Sequence, residues 1–220
     1  VCPVSADDVQ ISISEDATVS VAGAPQTVCG SSTVLTANTP VIGTGTWTVD
    51  AGVGGSFVDV NDPATTFNGV AGNSYTLRWT ISNGVCAASF TTVAINLQQT
   101  PTTASAGADQ NVCITAGIPA NLAANAPVIG TGVWSFAPGG NPDGLALTAF
   151  SDVNDEASTF TGTAGEVYIL RWTITNGVCP VSADDVQISI SEDATVSVAG
   201  APQTVCGSST VLTANTPVIG

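Results

Sequence analysis

The chain has 220 residues and a formal net charge of −15, from 17 acidic residues against two arginines, with no lysine and no histidine. That charge repels nucleic acid and anionic membranes, so neither is expected as a partner. The missing histidine and lysine remove the commonest acid–base and Schiff-base groups. Hydrophobic residues make up 44% of the chain, too many for a disordered segment. No apolar run is long enough to span a bilayer, and no signal peptide is present, although the chain begins inside a repeat.

Repetition organises everything else. Residues 1–43 recur letter for letter as residues 178–220, a period of 177. A shorter period lies within it: Ala22-Gly23-Ala24-Pro25-Gln26 returns as Ala106-Gly107-Ala108-Asp109-Gln110 and again as Ala199-Gly200-Ala201-Pro202-Gln203. These markers stand 84 and then 93 residues apart, each the size of one small domain.

In chain order, residues 1–15 read as the last strand of a preceding repeat. Residues 16–98 read as a complete short repeat, 99–191 as a complete long one, and 192–220 as the first strands of a following one. Within the short repeat, Val34-Leu35-Thr36, Trp47-Thr48-Val49, Phe57-Val58-Asp59-Val60 and Val93-Ala94-Ile95 are predicted strands. The clearest is Tyr75-Thr76-Leu77-Arg78-Trp79-Thr80-Ile81, whose alternation puts Tyr75, Leu77, Trp79 and Ile81 on one face and Thr76, Arg78 and Thr80 on the other. Asn38-Thr39-Pro40, Gly43-Thr44-Gly45, Asn61-Asp62-Pro63 and Asn83-Gly84 punctuate them as turns. About seven short strands per repeat, with no helical period, indicate an all-β fold of tandem immunoglobulin-like sandwiches in a linear array. The long repeat adds a loop around Gly139-Gly140-Asn141-Pro142-Asp143-Gly144. The linkers are short and poor in glycine, which restricts bending.

The pattern Ala-Gly-Ala-x-Gln-x-Val-Cys, Gly-Thr-Gly-x-Trp, Asp-Val-Asn-Asp and Leu-Arg-Trp-Thr-Ile-x-Asn-Gly-x-Cys resembles the PKD-like or immunoglobulin-like repeats of giant secreted proteins from Bacteroidetes-type bacteria. It covers essentially the whole chain. The resemblance implies an exported, surface-attached or matrix protein with no catalytic residues to carry over. The family includes cell-surface adhesins and spacer modules of secreted hydrolases.

Six cysteines, at 2, 29, 86, 113, 179 and 206, hold fixed places in the repeat. In an exported chain without CxxC pairs they indicate disulfides rather than zinc. Two pairings fit. Within domains, Cys29–Cys86 and Cys113–Cys179 bond, leaving Cys2 and Cys206 to partners outside the chain. Between neighbours, 2–29, 86–113 and 179–206 bond instead. The intradomain pairing is favoured because each bond staples the start of a sandwich to its last hairpin, worth about 4 kcal/mol in the chain-entropy model.

Other candidate sites each have a plainer explanation. Asp59, Asn61 and Asp62, repeated as Asp152, Asn154 and Asp155, supply oxygen ligands of the kind calcium takes. Asx turns account for the same letters. Calcium is thus the one cofactor the sequence offers ligands for; otherwise none is expected. Arg78 and Arg171 could anchor an acidic ligand, but a structural ion pair with a carboxylate such as Asp59 or Asp152, or stacking on an aromatic ring, is the simpler reading. Trp79 falls in the core by register, and with it the case for a sugar-binding tryptophan face weakens. Asp7-Asp8 and Asp184-Asp185 point to opposite faces of a strand and make a poor glycosidase pair.

The expectation is a non-enzymatic structural repeat of an extracellular fibre, stalk or filament, partnered by adjacent repeats or other copies of the chain. Strand complementation, with residues 1–15 of one chain completing a domain of another, is a variant. One alternative is an adhesin that binds glycans or surfaces, with the loop Gly139–Leu147 setting specificity. A second is a spacer inside a secreted hydrolase.

Overall fold

The computed structural model describes residues 2–5, 7–113 and 119–219. Among these the chain is all-β, its one helical segment being a 3-10 turn at Leu147–Ala149. Contacts divide it into two compact units. The first is Val1–Thr100 together with Asn176–Pro180; the second is Pro101–Thr175 with Val181–Gly220.

The first unit holds β1 (Gln26–Cys29), β2 (Ser32–Val34), β3 (Thr44–Ala51), β4 (Ser56–Phe57), β5 (Thr66–Asn68), β6 (Ser74–Ser82) and β7 (Ser89–Gln98). One sheet runs β1-β7-β6-β3 and the other β2-β5-β4, the two-sheet, seven-strand arrangement of an immunoglobulin-like sandwich. All pairs are antiparallel except β1 with β7, which is parallel, Gln26 opposite Ile95 through Cys29 opposite Gln98. Alternation along β6 buries Tyr75, Leu77, Trp79 and Ile81, as the sequence pattern requires. Each such side chain stabilises the fold by about 1.5–3 kcal/mol. Trp47 lies directly opposite Trp79, their rings 5.1 Å apart. The Trp79 indole lies over Gly45 so closely that a Cβ there would overlap the ring. Tryptophan and glycine at those positions are therefore one packing decision.

In the second unit, β10 (Thr131–Phe136), β12 (Val167–Thr175), β13 (Ser182–Ser191) and β8 (Gln110–Cys113) form one sheet in that order. The pair β9 (Ala120–Asn121) and β11 (Thr159–Phe160) forms the other, extended by a bridge from Phe150 to Phe160. Trp134 opposite Trp172 and Gly132 under the Trp172 ring repeat the first core, and β8 again runs parallel to the last strand. The longer loop does not hang free. Ile169 donates to the Gly140 carbonyl at 3.0 Å, continuing the β10–β12 ladder, and Asn141 closes on both backbone atoms of Leu145 at 2.8 Å.

Three expectations need correction. The strand placed at Phe57–Val60 stops at Phe57, because Asp59 and Asp62 turn the chain with their side chains. The described residues of 1–15 and of 192–219 form no strand, β13 ending at Ser191, and Val9, Ile11, Ile13 and Leu212 are exposed. A strand needs a ladder partner and a covered face, and neither segment meets both in this chain. The third correction concerns the cysteines.

Candidate functional site

Cys29 bonds Cys179, with Cα atoms 4.9 Å apart; Cys2, Cys86, Cys113 and Cys206 are free thiols. The favoured pairs Cys29–Cys86 and Cys113–Cys179 therefore do not form, nor does Cys179–Cys206. Strand polarity is the reason. Because β1 runs parallel to β7, Cys29 stands beside Gln98 at the far end of β7, whereas Cys86 precedes Ser89 at the near end. Ten residues of strand put these ends about 30 Å apart, far beyond the reach of a disulfide. Cys113, beside Ser191, is separated from Cys179 by the length of β13 in the same way.

What brings Cys179 to Cys29 is the tip of the β12–β13 hairpin, Asn176-Gly177-Val178-Cys179, which belongs to the first unit. The Asn176 amide donates to the Gln99 carbonyl at 2.7 Å, and the Val178 N–H donates to Gln98 Oε1 at 2.7 Å. Cys179 Sγ lies 3.1 Å from the Gln99 carbonyl oxygen and 3.7 Å from that of Gln98. Gly177 has φ of +54°, and the Gln98 side chain fills the space a Cβ would take. Any other residue there would face backbone strain and overlap together. The β6–β7 hairpin, Asn83-Gly84-Val85-Cys86, repeats the clamp on another stretch of the first unit. Asn83 donates to the Glu15 carbonyl at 2.7 Å, and Cys86 Sγ lies 3.6 Å from the Ser14 oxygen.

The other predicted residues lie apart from this junction. Asp59 and Asp152 accept from the N–H two residues on, at 2.9 and 2.8 Å, and Asp62 and Asp155 accept from Ala64 and Ala157 at 2.9 Å. These carboxylates, with Asn61 and Asn154 inside the same turns, are engaged as Asx turns. Among the described residues no group of three or more histidine, cysteine or acidic side chains is gathered as a metal would need.

Arg78 pairs with Asp50 at 2.6 Å and lies 4.3 Å over the Phe90 ring; Arg171 holds Asp185 through two bonds of 2.7 and 2.8 Å. The partners are not Asp59 and Asp152, which sit on turns of the other sheet. Asp50 is a cross-strand diagonal neighbour on β3, and Asp185 lies directly opposite Arg171 on β13. The hydrogen bond from Arg171 holds the Asp185 carboxyl below its ordinary range. Asp184 turns the other way and accepts from the Ala106 N–H at 2.8 Å. All four tryptophans are buried, with no indole face open to a sugar.

Two features had no sequence signal. In the first unit Tyr75 Oη donates to the Val53 carbonyl and accepts from the Val70 N–H; in the second, Tyr168 Oη accepts from Thr163 and donates to Asp143 of the longer loop at 2.7 Å. Hydrogen bonds from Thr163 and then Tyr168 hold the Asp143 carboxyl below its ordinary range. Cys113 Sγ donates to Asp193 at 3.1 Å, and that bond raises its thiol above the usual value.

No protein-family profile matches the chain, and no curated protein matches it. Solved structures do. Extracellular domains 3–5 of Drosophila OTK align with a TM-score of 0.53 at 14% identity, over 80% of this chain and 62% of that one. Immunoglobulin domains 1–5 of Sidekick-1 align with a TM-score of 0.51 at 12% identity, over 84% and 41%. The chain thus spans less than two thirds of either structure. At such identities the likeness shows the fold alone, and it is immunoglobulin-like. No helix among the described residues is long and apolar enough to cross a membrane.

Proposed function

We propose that the chain is a run of structural, non-catalytic repeats from an extracellular fibre, stalk or surface filament, with 16–98 and 99–191 as its complete units. The observation that carries this reading is the hairpin clamp. In two successive repeats the tip Asn-Gly-Val-Cys donates to a carbonyl at the same place in the sequence period, Asn83 to Glu15 across 68 residues and Asn176 to Gln99 across 77. A hairpin clamp built the same way twice, at one fixed place in the period, suits a unit that recurs along an array. The disulfide agrees with an oxidising compartment outside the cytosol. The partners in this reading are further copies of the same repeat.

Electron microscopy of the secreted protein at its native length tests it. Filaments or stalks with a spacing of one or two sandwiches are expected. Compact particles with no repeat along any axis would sink the reading.

A further inference from the structure

Residues 14, 98 and 191 occupy the same place in the sequence period, and Gln98 and Ser191 end β7 and β13. At Gln98 two cysteines meet. Cys29 arrives beside it on the parallel first strand, and Cys179 arrives at its carbonyl on the hairpin of the next repeat. They are bonded. At the other two places the structure holds half of the same arrangement. Cys86 reaches the Ser14 carbonyl from the hairpin side at 3.6 Å, against 3.7 Å for Cys179 at Gln98. Cys113 stands opposite Ser191 from the strand side, as Cys29 stands opposite Gln98. The Asn83 clamp that positions Cys86 has the same 2.7 Å length as the Asn176 clamp.

We propose that Cys86 and Cys113 are half-cystines of this same staple, Cys86 bonding the Gln-x-Val-Cys strand of the preceding copy of the repeat and Cys113 the Asn-Gly-Val-Cys hairpin of the following copy. The disulfides then run along the array, one at every junction, each tying the first strand of one sandwich to the last hairpin of the next. This rests on the reading of the chain as an array unit. Cys86 takes one occupant, a strand with the letters Gln110-Asn111-Val112-Cys113 from another copy, which docks along residues 11–14 as β8 docks along residues 188–191 of β13. Residues 11–14 carry the same letters as residues 188–191. The bond forms by exchange. The Cys86 thiolate attacks the strand cysteine while that sulfur is in a mixed disulfide with a small thiol. A new S–S bond forms, and the small thiol leaves as thiolate and takes up a proton. A low-molecular-weight disulfide outside the cell is the oxidant and is reduced to its thiols.

The test uses the 220-residue chain in two steps. Non-reducing proteolysis with mass spectrometry comes first, and a Cys29–Cys179 peptide is expected; a Cys29–Cys86 peptide would overturn the staple. The chain is then mixed with a synthetic peptide of residues 106–113 carrying Cys113 as its 2-thiopyridyl disulfide. Capture at Cys86 about tenfold faster than at Cys2 is expected, a ratio equivalent to about 1.4 kcal/mol. A peptide with Gln110–Val112 in scrambled order should lose that preference. Equal capture at Cys2, Cys86 and Cys113, or capture indifferent to peptide sequence, would overturn the proposal. The two readings separate cleanly. Selective capture without native filaments removes the fibre and keeps the staple, while filaments with unselective capture do the reverse.

Discussion

Residues 1–43 and 178–220 are the same 43 letters, yet they fold in opposite halves. In the second copy Ser182–Ser191 is strand β13, with Val186, Ile188 and Ile190 buried; in the first copy Val9, Ile11 and Ile13 are exposed and unpaired. Further along the relation inverts. Gln26–Cys29 and Ser32–Val34 are strands and Leu35 is fully buried, whereas Leu212 is 84% exposed. What survives in both copies is local. Thr18 and Thr195 each cap the same turn, their hydroxyls accepting from the N–H groups of Val41 and Ile42, and of Val218 and Ile219. Asn38 and Asn215 each bond Val21 and Val19, or Val198 and Val196, through the amide. None of these bonds spans more than 24 residues. The ladders that differ span more: Ser32 pairs with Asn68, and Gln26 with Ile95. Turn chemistry is written in the 43 letters, and strand pairing is not.

Identical substitutions in the two copies exploit that difference. The largest effect is expected from cysteine. Cys29→Ser removes a disulfide across a separation of 150 residues, for which the chain-entropy model gives an upper value of about 5 kcal/mol. Cys206→Ser, the same letter in the other copy, should leave the unfolding midpoint of the isolated chain unchanged. Guanidinium titration of both variants under non-reducing conditions compares them; equal midpoints would mean that Cys29 is not bonded. Leu35→Ala should follow, at about 2–5 kcal/mol for a fully buried leucine. Leu212→Ala should stay within about 0.5 kcal/mol. Hydrogen exchange of the Leu77 and Trp79 amides, which report global opening of the first sandwich, reads the first effect directly. A large effect from Leu212 would show that the second copy has a covered face after all.

The same division explains how much could be read from the sequence. Alternation over Tyr75–Ile81 is enough to orient β6 and place Trp79 in the core, because it needs only a period of two and one apolar face. Asn83-Gly84 and Asp59–Asp62 are legible as turns for the same local reason. The polarity of β1 against β7 is not, since nothing within Gln26–Cys29 records which way its partner runs. One wrong polarity moves Cys29 the length of a strand, and with it the disulfide. Arg171 was recognisable as half of an ion pair, but its partner depended on the β12–β13 register that sets Asp185 opposite it. The Tyr168–Asp143 bond joins a strand to a loop 25 residues away. It leaves no trace in either segment alone.

Smaller effects test the local half of the comparison. Thr18→Val removes the acceptor of two N–H groups and should cost about 1 kcal/mol, the ordinary net worth of such bonds where water can partly replace them. Thr195→Val removes the same acceptor from a segment outside any sandwich. Global stability should not move, while exchange protection at Val218 and Ile219 should fall. Lost protection in both variants would confirm that the turn forms without the sandwich; no protection at Val218 and Ile219 in the unaltered chain would break the comparison at its base.

The smallest effect is expected from charge. Asp185 and Asp8 are the same letter, but only Asp185 faces an arginine, and Arg171 holds its carboxyl below the usual range. A carboxylate depressed in the folded state binds fewer protons there than in the unfolded chain near its titration. Its contribution is therefore fully present above the ordinary aspartate range and is lost as pH falls through the folded value. Both partners are more than a third exposed, so screening limits the pair to about 0–1 kcal/mol. Asp185→Asn should lower stability by no more than that at neutral pH and should remove the pair's share of acid sensitivity; Asp8→Asn should do neither. A carboxyl-resolved NMR titration gives the sharper reading, because Asp185 must titrate below the ordinary aspartate range even if the stability change is too small to measure. Titration of Asp185 within that range would mean the two-bond contact with Arg171 does not persist in solution, leaving Asp185 as free of its strand partner as Asp8.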